Sequence, residues 1–392
     1  MYRKTLIAAA AAAIVAPQAQ AVEVNDDLSI YGSLRQGIET VDPESSDVDS
    51  YSGLRDAYTR IGLTGSSEVA DGLTGSFTYE LGIDSTTGEI STLDFDKGGA
   101  YGNKQARVSK IGLSGDFGSV HAGKMWGVFY NAIAYPVDMY SSYYAGWSTY
   151  ALFRTSDTLV YSTPEMAGFQ FDAGVSFQKG EEEAGASFGK FGIGEDCSFQ
   201  AGSVNCGAKR GGGNVYTLTG TWSGGPLTAS LGYELRSSED DGDPENGQPD
   251  NEAALMGAAV SADLGNLDLA AQFEQVTDGI EATSGDGGYY VDVDGDRADY
   301  YDGTAYLEED ATVYNLYAGY TAGDFKYKAK YGEAEGVTGT FYHLGVDYNA
   351  SEAMKFFAEY YDDEGGGFSP VGYDDGNSEG GSAFTVGAHY SF

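Results

Sequence analysis

Three histidines, two cysteines and one run of alternating aspartates are the groups in this 392-residue chain best suited to hold a metal or activate a nucleophile. His121, His343 and His389 lie on separate segments, and no serine or carboxylate is spaced to complete a nucleophile–base–orienter set. Asp292, Asp294, Asp296 and Asp299 alternate as in a calcium-binding loop. Their glycine and the residue twelve positions on do not fit the usual spacing, so Asp292, Asp294 and Asp296 stand only as a calcium candidate. Cys197 and Cys206 share one polar stretch. Two thiols exclude a four-thiolate zinc site and a disulfide-dense scaffold, and in an oxidising compartment a disulfide between them is expected. No cofactor motif is present. What remains is charge: Arg35, Arg60, Lys110, Lys124, Arg154 and the alternating Lys326, Lys328 and Lys330.

The elements that position these cations follow from composition and period. Lys and Arg number 21 against 60 Asp and Glu, a formal charge of −39, with 58 Gly, 31 Tyr and 19 Phe. Such a charge repels phosphate backbones, and no basic patch is segregated, so nucleic acid is excluded as a partner. The aromatic content argues against simple acidic disorder. Residues 1–21 place Arg3 and Lys4 before an apolar run from Leu6 to Ala16, then Pro17 and Ala19-Gln20-Ala21. This reads as a secretory signal peptide cleaved after Ala21, with residues 22–392 as one exported domain.

No later stretch is apolar enough for a membrane helix. Instead, every second residue is apolar over short segments, the period of a strand with one wet and one greasy face. Phe169, Phe171, Ala173, Val175 and Phe177 alternate with polar residues or glycine, and Leu227, Ala229, Leu231, Tyr233 and Leu235 do the same. About sixteen such segments occur, among them 28–40, 54–65, 105–115, 151–162, 325–333 and 383–392. Short connections such as 116–118, 224–226 and 323–324 take turns with long polar ones such as 180–213, 237–251 and 277–310. A soluble β-sandwich also alternates, but it has no reason to alternate its connection lengths. The expected fold is all-β: a closed, 16-stranded antiparallel transmembrane β-barrel. Parity then assigns faces. Leu28, Ile30, Leu34 and Ile38 point to lipid, so Arg35 points to the lumen; Ile61 and Leu63 do the same for Arg60. Arg107 is a weaker lumen candidate, since by strict alternation it shares the lipid face of Ile111 unless a bulge or the rim rescues it. Lys326, Lys328 and Lys330 form an inward ladder that either tunes selectivity or keeps the wall wet.

Five stretches in order resemble the trimeric general porins of Gram-negative outer membranes, across essentially all of residues 22–392. They are the opening strand LSIYGSLRQGIE, Arg60-Ile-Gly-Leu-Thr-Gly, Lys110-Ile-Gly-Leu-Ser-Gly-Asp-Phe-Gly-Ser-Val with His121-Ala-Gly-Lys124, Val160-Tyr-Ser-Thr-Pro-Glu-Met-Ala-Gly-Phe169, and terminal Tyr390-Ser-Phe392. The resemblance implies an outer-membrane homotrimer working by passive diffusion of small hydrophilic solutes and ions. It implies no catalysis. It implies a third loop, 128–150, folded into the lumen as a constriction, where Asp138 is the only charge. Arg35, Arg60, Lys110 and Arg154, with Lys124 as a further candidate, match the family's cationic wall opposite that loop. Tyr390 and Phe392 match the aromatic end read by the barrel assembly machinery. A charge pair across a narrow pore would align polar solutes and bias ions. A substrate-selective porin, or an exported acidic calcium-binding or adhesive β protein, are the alternatives. Ion preference stays open, because the wall is cationic while segments 237–251, 277–310 and 362–382 hold 23 acids and one base. Those acidic loops would face outward, towards lipid and lipopolysaccharide, bridged by divalent cations or serving only solubility.

Overall fold

The computed structural model describes residues 22–25, 27–46, 48–88, 90, 106–177, 197–200, 203–206, 214–237, 253–278, 310–365, 369–371 and 379–392. The signal peptide and the aspartates Asp292, Asp294 and Asp296 lie outside them. The alternating segments become β1 (Leu28–Pro43), β2 (Tyr51–Asp56 and Arg60–Ala70), β3 (Leu73–Gly82), β4 (Val108–Gly115), β5 (Gly118–Trp126), β6 (Arg154–Ser162), β7 (Phe169–Phe177) and β8 (Asn214–Gly224). They continue as β9 (Leu227–Ser237), β10 (Ala253–Asp263), β11 (Leu267–Asp278), β12 (Thr312–Ala322), β13 (Phe325–Ala334), β14 (Gly339–Asn349), β15 (Met354–Asp363) and β16 (Gly381–Ser391).

Each strand pairs antiparallel with its sequence neighbours, and β16 returns to pair with β1 from Ser33↔Ser391 to Pro43↔Gly381. The sixteen strands therefore close, leaving no unpaired edge to meet lipid. Val22–Asn25 adds to β1 beyond the end of β16, with Val22 opposite Ile30. At the seam Gly32 and Phe392 exchange backbone bonds, N to O at 2.8 and 3.1 Å. A Cβ on Gly32 would stand 2.3 Å from Phe392 Cζ, so a side chain there would push the terminal ring aside.

The sheet is apolar outside and polar inside. Ile38, Leu54, Ile111, Leu218 and Leu231 are each more than half exposed. Ser33, Glu39, Thr217, Gln272, Asn315 and Thr385 are buried on the opposite face. A soluble sandwich would hide the first set in its core; here that set forms the surface presented to hydrocarbon. The two-residue connections Asp71–Gly72, Gly225–Pro226 and Gly323–Asp324 lie at one rim, and the long segments all start from the other. Gly72 and Gly323 take φ of 73° and 60° there, a turn geometry that a side chain would strain.

Two details depart from simple alternation. The segment expected as one strand over 54–65 starts earlier, runs on to Ala70, and breaks at Ala57–Thr59. Asp56 causes the break: its Oδ2 accepts the backbone N–H of Tyr58 and Thr59 at 3.0 and 3.1 Å, and Tyr58 takes φ 66°. Arg107 does not share the lipid face of Ile111. It precedes β4, outside the alternating ladder, and is buried against Glu80 with Nε donating to Oε1 at 2.9 Å.

Cys197 and Cys206 are backbone register partners in a small separate hairpin, Cys197–Gln200 with Ser203–Cys206. Opposed antiparallel residues lie about 4.5–5.5 Å apart at Cα, within the disulfide range. Oxidised protein should therefore take up no thiol-alkylating reagent until it is reduced, and then two equivalents, as mass spectrometry would read. Labelling before reduction would refute the bond.

Candidate functional site

Residues 127–153 leave β5 and enter the barrel instead of extending beyond it. Tyr130–Ala134, Tyr135–Val137 and Tyr144–Trp147 form short helical turns, the second carrying Pro136 in its first turn, where proline is tolerated. Phe129, Tyr130, Ile133, Trp147, Tyr150 and Phe153 are buried against Leu255, Val276, Val313 and Ala334 of the wall. The wall makes room: a Cβ on Gly257 would lie 2.6 Å from Phe129 Cζ. This is the inward loop that the family resemblance implied. Its apolar side chains drive the docking, since they would be poorly placed in water.

Polar wall groups then hold its backbone. Glu359 accepts the N–H of Ser141 and Ser142 at 2.9 and 2.8 Å, one on each carboxylate oxygen. Glu274 accepts Thr149 Oγ1 and Tyr150 N at 2.5 and 2.6 Å. Lys328 donates to Met139 O and Lys330 to Ala145 O, while Arg236 reaches Tyr150 O and Asn315 reaches Ser148 O. Lys328 also bridges Asp347 and Glu359, both at 2.9 Å. The lysine ladder does point inward, but Lys328 and Lys330 are buried beneath the loop and fasten it. Lys326 stays half-exposed in a pair with Asp268 at 2.5 Å.

Opposite these anchors stands the cationic wall. Arg35, Arg60, Arg107 and Arg154 are all buried, and aromatic rings cover three of them. Arg35 lies 5.0 Å from the Tyr143 ring centroid, and Arg154 and Arg107 lie 4.5 and 5.8 Å from that of Trp126. Arg55, which the parity argument did not single out, sits 4.1 Å from Tyr144 and pairs with Glu39 at 3.1 Å. The acid among the wall cations is Glu80. It bonds Arg107, lies 3.7 Å from Arg60 and accepts Tyr31 Oη at 3.0 Å. Lys110 points inward between Thr78 and Gly123 and is half-buried. Lys124 falls at a register shift between Gly123 and Met125, which takes it out of strict alternation.

Asp138 is half-buried on the loop, accepting Tyr130 Oη at 2.7 Å. Burial raises its carboxyl above the ordinary range, against the pull of Tyr130, Lys330, Arg35 and Arg60. Burial also works to raise the Tyr143 phenol, but Arg35 and Arg60 outweigh it and leave that group below its usual value. His343 stacks on Tyr140 at 3.7 Å, and its Nε2 meets both Ser142 Oγ at 3.3 Å and Glu359 at 3.7 Å. A base serving a nucleophile needs its orienter on the other ring nitrogen, so this trio lacks a catalytic arrangement. His389 joins Ser33 and Arg35 at 2.9 and 3.2 Å. Sequence reasoning missed Glu80, Glu274, Glu359, Tyr58 and Tyr143. Inward parity was the available signal for the three glutamates; nothing local marked the two tyrosines.

A closed barrel with a greasy exterior, a polar interior and an inserted loop defines a transmembrane channel. A family profile described as Gram-negative porin matches residues 5–367, and the chain belongs to that family. It is 28% identical over 300 residues to the chitoporin of Vibrio furnissii, covering 71% of this chain and 76% of that protein. It is 25% identical over 302 residues to an outer membrane porin of Bordetella pertussis, covering 71% and 70%. The fold matches Salmonella typhi OmpF, solved with daunomycin, with a TM-score of 0.63 at 16% identity over 95% of this chain and all of that one. The protein is an outer-membrane porin, a water-filled channel for passive diffusion of small hydrophilic solutes and ions.

Proposed function

We propose that this porin is a homotrimer without catalytic activity, whose constriction lies between loop 127–153 and the wall of Arg35, Arg60, Lys110 and Arg154, and that it favours small anions. The carrying observation is the gathering of buried Arg35, Arg60, Arg107 and Arg154 on one side of the lumen, with Glu80 among them and Glu39 paired to Arg55 beside them. Asp138 supplies the weaker opposing charge from the loop, and Lys124 and Lys326 adjust the field at its margins. Planar-bilayer recording tests this directly: stable ohmic conductance is expected, with a reversal potential on the anion side in a salt gradient. A folded protein that does not conduct would refute it.

The acid-rich segments at the long-loop rim recruit cations, divalent ones included, and meet lipopolysaccharide. Residues 1–21 direct export, and Tyr390 and Phe392 are read by the barrel assembly machinery. Salt should separate rim from constriction, because the Debye length falls from about 10 Å at 0.1 M to about 3 Å at 1 M. Exposed rim charge is screened first, so anion preference should grow as mean salt rises at a fixed concentration ratio. A salt-independent reversal potential would count against the division.

A second reading is a substrate-selective porin. Tyr135 and Tyr143 are only partly buried at the constriction and offer ring edges and faces against which sugar rings could pack. The relative named chitoporin makes chitooligosaccharides the first solutes to test. Saturable block of the ion current would favour this reading, and linear, unsaturated flux would favour the general one.

A further inference from the structure

We propose that Tyr143 is a selectivity-determining cap, whose ring sets how much of the Arg35 and Arg60 charge a passing solute meets. The inference rests on the constriction described above and adds a residue that carries no charge of its own. Tyr143 sits just ahead of the turn Tyr144–Trp147 with φ 63°, a left-handed conformation that a bulky side chain adopts only when its surroundings impose it. Those surroundings are fastened on both sides. Ser142 N is bonded to Glu359, and Tyr144 Oη donates to Glu39 at 2.5 Å and accepts Arg55 Nη1 at 2.7 Å.

The ring so placed covers Arg35 at 5.0 Å, and its phenol lies close to Arg60. Tyr58 meets it edge-on at 4.8 Å. Tyr58 is itself left-handed, set by the Asp56 break in β2, so two imposed conformations, one on the wall and one on the loop, meet at one ring contact. The outcome is measurable in burial: Arg35 and Arg60 are 8% and 9% exposed, whereas Tyr143 stays half-buried at the lumen surface. A solute therefore meets the electron-rich ring first and the guanidinium groups only behind it. The ring over Arg35 and the phenol beside Arg60 spread and shield the field of the two guanidinium groups.

The test uses Tyr143→Gly, since glycine takes the left-handed φ without strain, and Tyr143→Phe, which keeps the ring and removes the phenol. Each is made in the wild-type channel and in an Arg35→Ala/Arg60→Ala channel, with conductance and reversal potential read in potassium chloride gradients. Tyr143→Gly should raise the anion-to-cation permeability ratio about two- to threefold, the scale of uncovering a nearby charge in a hydrated pore. Tyr143→Phe should leave the ratio close to wild type. In the Arg-less channel Tyr143→Gly should leave the ratio unchanged, even if a wider pore conducts more. An unchanged or cation-shifted ratio for Tyr143→Gly, in a protein whose selectivity the two alanines do alter, overturns the cap and spares the wall. Alanines that leave selectivity untouched overturn both. Heat-modifiable gel mobility checks folding, and Tyr143→Asn, which also tolerates the left-handed φ, replaces a glycine variant that fails it.

Discussion

Exchanging Glu359 for alanine should loosen the inserted loop and raise both open-channel noise and mean conductance. The carboxylate takes two adjacent loop N–H groups and the Lys328 ammonium, all at 2.8–2.9 Å in a buried setting. Removing it orphans those donors, and breaking a buried pair by deleting one partner typically costs about 3–5 kcal/mol. Asp347 still faces Lys328 at 2.9 Å, so the lower end of that range applies. The cost falls on docking of the loop and leaves the closed strand ladder intact, so heat-modifiable mobility should survive. Adding Lys328→Met should recover part of the effect, because losing both partners is milder than stranding one. Current traces indistinguishable from wild type would show that Glu359 does not hold the loop.

Deleting Phe392 should produce the next largest effect, on formation of the barrel. Its two reciprocal bonds to Gly32 end the β1–β16 seam, and its ring lies over that glycine. Two backbone bonds at roughly 0.5–1.5 kcal/mol each imply a loss of about 1–3 kcal/mol in closure. That is about 5- to 150-fold in the closed population where closure is marginal. Phe392→Ala keeps the backbone bonds and removes only the ring, so it separates seam closure from recognition of the aromatic end during assembly. The readout is the fraction of heat-modifiable barrel, both in membranes and after refolding in detergent. Wild-type yields for the deletion in both settings would sink the prediction.

The barrel was legible because one rule covers the whole chain. A period of two tells the two faces apart, and alternating connection lengths tell the rims apart. The rule names a face without naming a partner across the lumen. Arg35, Arg60 and Lys110 were therefore placed inward correctly, while the rings covering Arg35 and the burial of Lys328 and Lys330 were not foreseen. Those features depend on a loop meeting strands some two hundred residues distant, as Ser141 meets Glu359. Arg107 stayed ambiguous because alternation says nothing of a residue just before the start of β4, where the rim lets it turn inward. Tyr58 and Tyr143 were invisible for another reason: their backbone conformations are imposed by neighbours and not by their own residue type.

The grip on the loop has one further consequence. Glu359, Lys328, Lys330, Asn315 and Arg236 bind N–H and C=O groups that every amino acid shares, proline's missing N–H aside. A socket that recognises main chain is largely indifferent to which side chains the docked segment carries towards the water. Residues such as Asn131, Pro136, Met139 and Tyr143 could then be exchanged without undocking the segment, so the filter can diverge quickly while the scaffold stays put. A lineage, or an engineer, could write a new solute preference into a handful of codons and leave the barrel untouched.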